Sequence, residues 1–251
     1  MSKKNLLFLV LAGFFIANAI LAEFIGVKIF SLEKTLGIEP FKFNFFNEKD
    51  LGFNLTAGVL LWPVVFVLTD IINEYFGKKG VKLLSYLAVG LITYSFIVVF
   101  GAIKLMPADF WVGTGAEEQG VPNMQLAYTA IFGQGLWIII GSIIAFLVGQ
   151  LIDVVVFQKL NKLTNGKMIW LRATGSTLVS QLIDSFIVLF IAFYLGANWS
   201  IGLVLAICAV NYIYKFVVAI GLTPVIYAAH YCIDKFLGNK LAEKMKLEAR
   251  S

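Results

Sequence analysis

Residues 170–195 read WLRATGSTLVSQLIDSFIVLFIAFYL, and the fold follows from how this stretch is solvated. It exceeds the roughly 20 apolar residues that cross a bilayer as a helix. Yet it carries Thr177, Gln181 and Asp184 at i, i+4 and i+7, with Ser180 beside them, so one helix face is polar. An ionisable group near the bilayer centre costs at least about 2.5 to 3.5 kcal/mol. The stripe must therefore face protein or water, which requires further helices around it.

The rest of the chain supplies them. Of 251 residues, 60% are hydrophobic and 14% charged, with a mean hydropathy of +0.88, against roughly a quarter charged in a soluble domain. Apolar blocks at Asn5–Phe30, Leu51–Tyr75, Val81–Ile103, Tyr128–Phe157, Trp170–Leu195 and Ser200–Tyr231 predict an all-α membrane protein: one domain over 1–251, a bundle of six transmembrane helices. Ala17-Asn18-Ala19 imitates a signal-peptide cleavage site, but the apolar run continues to Phe30, which favours a retained helix. Lys3 and Lys4, then Lys78, Lys79 and Lys82, then Lys159, Lys162, Lys167 and Arg172, then the tail from Lys235 to Arg250 all fall on one side. The opposite side carries a mixed first loop (Glu33, Glu39, Glu48 and Asp50 among lysines) and an acidic third loop with Asp109, Glu117 and Glu118. Positive loops face the cytoplasm, so both termini are expected there. The first loop, with Phe41, Phe43, Phe45 and Phe46, either rests on the membrane interface or folds as an extracellular hairpin. The third, Lys104–Ala127, is expected to lie on the outer face as a lid or interfacial segment.

Several function classes lose support. The basic residues sit at block ends without interleaved aromatics, so no nucleic-acid partner is expected; the partners are membrane lipid and a small molecule. Cys208 and Cys232 lack metal-ligand spacing, His230 is the single histidine, and no P-loop is present. No metal or other cofactor is expected, and an enzyme reading starts weak.

Polar groups inside the apolar blocks carry the functional signal. Glu23, Lys28, Asp70, Glu74, Asp153, Asp184 and Lys215 are joined by Asn18, Gln150, Gln181 and Asn211. Asp70 with Glu74, Gln150 with Asp153, and Asn211 with Lys215 share helix faces. At about 1.5 Å per residue, Asp184 lies about 21 Å and Lys215 about 24 Å from the cytoplasmic ends of their helices, so the two can meet. Such groups either mark a substrate or ion path or hold helices together by hydrogen bonds. Asp70, Glu74 and Asp153 near the helix ends admit both readings; Lys28 is expected to snorkel to the outer surface. Gly149-Gln150-Leu151-Ile152-Asp153 is echoed by Ser180-Gln181-Leu182-Ile183-Asp184, as in transporters built from repeats.

Leu68-Thr69-Asp70-Ile71-Ile72-Asn73-Glu74-Tyr75-Phe76-Gly77, the two echoed segments, Leu171-Arg172 and Lys215 together resemble the queuosine precursor transporter family, also known as the vitamin uptake transporter family, across nearly all six helices. The resemblance implies an inner-membrane carrier that takes up 7-deazaguanine bases. It points to Asp184 and Gln181 as ligands of the base edge and Lys215 as counter-ion. It adds Asp153, Gln150, Asn211 and Thr177 as further substrate-binding residues, and assigns Asp70, Glu74, Arg172 and Glu23 to gating or structure. One departure is Trp137, where relatives carry an arginine; the indole offers a stacking surface instead. Proton coupling through Asp153 and Asp184 is a hypothesis at this stage, and a homodimer is left open. Other readings are a substrate-binding membrane subunit of an energy-coupling-factor vitamin importer, a membrane-embedded enzyme, or a structural helix bundle.

Overall fold

The structure, a computed structural model, describes residues 1–46, 48–113, 120–133 and 135–250. Glu117 and Glu118 of the third loop lie outside the described residues. The chain runs through α1 (Lys3–Ile25), β1 (Ile29–Ser31), α2 (Leu32–Leu36), β2 (Phe43–Phe45), β3 (Glu48–Leu51) and β4 (Asn54–Thr56). A 3-10 turn at Ala57–Leu60 then leads into α3 (Trp62–Ile103), α4 (Asp109–Val112), α5 (Met124–Phe132) and α6 (Leu136–Leu163). It ends in α7 (Ile169–Leu189), which continues as a π turn to Leu195, then α8 (Ile201–Gly221), α9 (Thr223–Leu237) and α10 (Asn239–Arg250). Among the described residues, five helical stretches are long and apolar enough to cross a membrane, so this is a mostly helical, multi-pass membrane protein.

The 42-residue α3 is two helices in one. Gly77 sits at φ 66° and ψ −173°, far from helical values. Phe8 packs on Phe76 and Phe24 on Phe96, with ring centroids 4.9 and 5.2 Å apart, so residues 78–103 run parallel to α1. Residues 62–76 run the other way, since the preceding turn abuts Ala22 near the far end of α1 through Gly58. The chain therefore reverses at Gly77. A side chain there would meet the carbonyl of Ala249 at 2.8 Å, so the turn and its contact with α10 both require glycine.

The core forms where α1, both arms of α3 and α6 meet. Leu7, Leu11, Phe15 and Ala19 repeat every four residues on the inner face of α1 and pack with Ile72, Leu84, Ile92 and Phe146. The outward faces are equally apolar: Leu9, Phe14 and Ile97 are 60, 62 and 66% exposed. Continuous exposed apolar surface of this kind suits hydrocarbon, not water. Leu237, Ala242 and Met245 close the same core from one end.

Several helix ends differ from the apolar blocks. The first helix stops at Ile25, not Phe30, because residues 29–31 pair antiparallel with 54–56. The second starts at Trp62, not Leu51, with Pro63 in its first turn, where a missing N–H costs nothing. The block from Tyr128 is divided between α5, which ends at Phe132, and α6, which begins at Leu136, and the last is interrupted before Pro224, which cannot donate to the preceding turn. The first loop adopts the hairpin alternative: β2 and β3 pair, and Phe43, Phe45 and Phe53 pack with Val210, Ile213 and Tyr214 of α8.

Glu33 anchors that loop. Its carboxylate accepts from the Phe53 backbone N–H at 2.7 Å and the Ser31 hydroxyl at 3.0 Å. Burial pushes its carboxyl pKa up, but the hydrogen bonds to Phe53 and Ser31 outweigh this and hold it below the ordinary value. A depressed folded pKa stabilises above the unfolded value of about 4.3 and ceases to do so as pH falls through the folded one. Hydrogen exchange in residues 29–56 is accordingly expected to quicken, relative to the intrinsic rate, as pH falls below about 4.3, and Glu33→Gln should remove this dependence. Gly77→Ala should cost roughly 1 to 3 kcal/mol in backbone strain alone and lower the melting temperature in detergent; an unchanged melting temperature would contradict the turn described.

Candidate functional site

The echoed segments are the frame of the site. Helices α6 and α7 form an antiparallel pair in which Gly149 faces Asp184, while the Ser180 hydroxyl donates to Asp153 Oδ1 at 3.2 Å. The two copies thus lie opposite one another in reverse order, which puts the carboxylates one helical turn apart in depth, about 6 Å. A Cβ at Gly149 would lie 3.4 Å from the Asp184 side chain, so a small residue lets the helices approach where a charged group must be shielded.

Asp184 and Lys215 do meet: Lys215 Nζ lies 2.8 Å from Asp184 Oδ2 and donates to Ser185 Oγ at 2.8 Å. A narrow cleft, about 30 Å³ in cavity volume and about 460 Å³ when its open mouth is counted, lies beside this pair, between residues 62–76 and helices α7, α8 and α9. Trp62, Phe66, Val218 and Ala219 give it apolar and aromatic walls, and Asp70, Thr174, Thr177, Gln181 and Lys215 give it polar groups. Of the residues expected to bind substrate, Thr177, Gln181 and Lys215 line it. Asp184 stands behind Lys215. Asp70, expected to gate or anchor, is a lining residue.

Two lining atoms are buried without a protein partner among the described residues: Asp70 Oδ1, an acceptor, and Gln181 Nε2, a donor. An unpaired buried polar atom costs about 1 to 3 kcal/mol, more when charged, so each of these atoms calls for a partner such as a ligand or a water.

The remaining polar residues lie around the cleft. Gln150 Oε1 accepts from the Thr69 hydroxyl at 2.9 Å, and Asp153 is fully buried and accepts from Ser180. Asn211 donates to the Ile207 carbonyl of its own helix. Toward the Gly77 end, Arg172 forms an ion pair with Glu74 at 2.8 Å, donates to Asn161 at 2.6 Å and lies over the Phe157 ring. Glu23 accepts from Ser142 at 2.8 Å at the other end of α1. Lys28 is exposed. Trp137 is 48% exposed and does not line the cleft. Sequence reasoning passed over Trp62, Phe66, Thr174 and Ser176. Only the hydroxyls gave a signal, as polar residues on the Thr177 side of α7.

The comparisons with known proteins point the same way. The "Probable queuosine precursor transporter" of Bacillus subtilis (strain 168) is 30% identical over 182 residues, covering 71% of this chain and 72% of that protein. The "Queuosine precursor transporter" of Escherichia coli (strain K12) is 26% identical over 205 residues, 79% of this chain and 81% of its own length. A "Probable queuosine precursor transporter" of Haemophilus influenzae is 29% identical over 149 residues, 59% of this chain and 56% of its own length. No solved structure matches the chain. Residues 56–229, which include every residue lining the cleft, match the family described as "Putative vitamin uptake transporter", and the chain belongs to that family.

Proposed function

We propose that this protein is a carrier of the cytoplasmic membrane, and not an enzyme, that takes up queuosine precursors of the 7-deazaguanine class. The observation that carries the reading is that two residues lining an intramembrane cleft carry buried, unpartnered atoms, Asp70 Oδ1 and Gln181 Nε2. A deazaguanine presents a ring N–H beside an exocyclic amine, then a ring carbonyl. A carboxylate accepts the two donors in a charge-assisted contact, and an amide N–H satisfies the carbonyl. Trp62 and Phe66 provide flat apolar surface for the ring system. The site is thus assigned to Asp70, Gln181, Thr177 and Lys215, with Asp184 fixing the Lys215 ammonium.

Six crossings serve the carrier: α1, residues 62–76, residues 78–103, α6, α7 and α8. Lys3 donates to the Phe236 carbonyl and Lys4 pairs with Glu248, so both termini gather at the end that bears Gly77. Lys78, Lys79 and Lys82 follow that turn, and their positive charge supports a cytoplasmic placement of this end. Residues 62–76 rise only about 22 Å, less than the roughly 30 Å of the hydrocarbon layer; the folded first loop makes up the difference on the outer side.

In cells lacking precursor synthesis and their own importer, the wild-type chain is expected to restore queuosine in tRNA from external 7-deazaguanine base. Asp70→Asn and Gln181→Leu, inserted at normal levels, should each reduce uptake by at least about tenfold, the effect of removing one buried, charge-assisted or otherwise unreplaceable hydrogen bond. Full uptake by both variants would overturn the site; no restoration by the wild type would overturn the function.

A further inference from the structure

A second cavity lies between α7, α8 and the first loop, and it shares no residue with the cleft. It holds about 530 Å³, against about 30 Å³ for the cleft, which falls within the roughly 300–1,000 Å³ of ligand sites. Leu182 and Phe186 of α7 and Phe46 of the loop line it and are exposed, whereas Cys208 of α8 lines it and is buried. The cavity therefore runs inward from an open rim, and the small side chains of Cys208 and Ala209 leave it hollow. Its chemistry decides what can fill it. Among the described residues that line it, only the Tyr212 hydroxyl and the Cys208 thiol are polar. A buried water needs two to four polar partners. A polar heterocycle would leave its N–H and carbonyl groups unpaired, at the full cost of their desolvation. An empty hollow forfeits the dispersion contacts of its walls. Hydrocarbon suits it, and hydrocarbon is at hand. Cys208 lies about 10 Å along α8 from Ile201, the start of a helix long and apolar enough to cross the membrane, within the roughly 15 Å that the chains of one leaflet occupy. A helix of a second copy is about 10 to 12 Å across, too broad to enter between two helices in contact, whereas a single chain of methylenes is not.

We propose that one acyl chain of a bilayer lipid occupies this cavity as a bound ligand and supports the β2–β3 hairpin from behind. Three walls hold the chain: Phe45 and Phe46 of the loop, Leu182 and Phe186 of α7, and Cys208 and Ala209 of α8. A chain lying against the open surface at Leu9 or Ile97 meets protein on one side only, so it gains fewer dispersion contacts and exchanges freely with its neighbours. The hairpin depends on what fills the hollow. Phe45 lines the cavity and also packs on the cluster of Phe53, Leu55, Val59 and Val210. Val59 in turn lines the cleft, so the lipid-backed cluster continues directly into the cleft wall. Occupancy of the cavity is independent of what the cleft binds.

The test uses the purified full-length chain in detergent, titrated with phosphatidylethanolamine that carries a photoactivatable diazirine in the middle of one acyl chain. Adducts formed on irradiation are located by peptide mass spectrometry. Those on Cys208, Ala209 or Tyr212 report the cavity, and those on Ile97, an exposed side chain remote from it in the sequence, report bulk lipid. Cavity adducts are expected to saturate near one lipid per chain, while adducts on Ile97 rise in proportion to the lipid added. Ala209→Phe, checked by gel filtration for a single species, fills the cavity; it should abolish the cavity adducts and leave those on Ile97 unchanged. Added lipid should also slow hydrogen exchange in residues 43–51 several-fold in the wild type, and leave it unchanged in Ala209→Phe. Cavity adducts that rise only in proportion to lipid, as on Ile97, overturn the site and leave bulk lipid alone. Saturable adducts that persist in Ala209→Phe overturn the placement in this cavity. A dimer on gel filtration with Cys208 unlabelled overturns the lipid in favour of a second copy. Saturable labelling with no effect on exchange overturns the support of the hairpin.

Discussion

Charge in a low-dielectric interior must be paired, and the helix packing of this protein is arranged around that constraint. Removing one partner of a buried ion pair costs about 3 to 5 kcal/mol, because the other is left uncompensated. Arg172 shows the consequence. It is 1% exposed, and its guanidinium meets Glu74, Asn161 and the Phe157 ring at once. Those contacts tie α7 to residues 62–76 and to both ends of the last turns of α6. Lys215 does the same between α8 and α7. Apolar contacts in a bilayer give little preference for one helix neighbour over another, so these polar contacts select which helices adjoin.

Once α7 is fixed on two sides, the cleft follows. Residues 62–76, α7 and α8 are held apart by the lengths of their paired side chains, and the space between them is lined by whatever those helices present there. Thr177 and Gln181 project from α7 into that space, one turn apart. The same faces that line the cleft thus belong to the helices that the ion pairs hold in register. Neighbouring residues use different atoms: Arg172 and Glu74 pair with one another, whereas Asp70 Oδ1 and Gln181 Nε2 have no protein partner among the described residues.

Much of this was legible in the sequence. Length and hydropathy located the apolar segments, and counting 1.5 Å per residue brought Asp184 to the height of Lys215, where the structure pairs them. Counting gives height but not the azimuth of one helix about another. That is why Asp70 could not be told from Glu74: both are buried, four residues apart, yet one lines the cleft and the other meets Arg172. The same limit hid Trp62 and Phe66, ordinary aromatics until their neighbours are known. Hydropathy also overran β4 and Pro224, because a sliding apolar average registers neither strand pairing nor a missing backbone N–H.

The end of the bundle that bears Gly77 is closed in layers. Closest to the cleft is the Arg172–Glu74 pair. Next, the Tyr75 hydroxyl donates to Asp234 at 2.7 Å, and Lys246 pairs with the same carboxylate. Last, α10 lies under the turn at Gly77, with Met245 and Ala242 buried in the core. The three layers are not equally hard to open. The side chains of Lys246 and Asp234 are 19 and 34% exposed, so water can replace their contact at small cost. Arg172 and Glu74 at 1 and 2% have no such substitute until water reaches them. Opening at this end must therefore begin at α10 and proceed toward the cleft, hydrating each layer before the next can part.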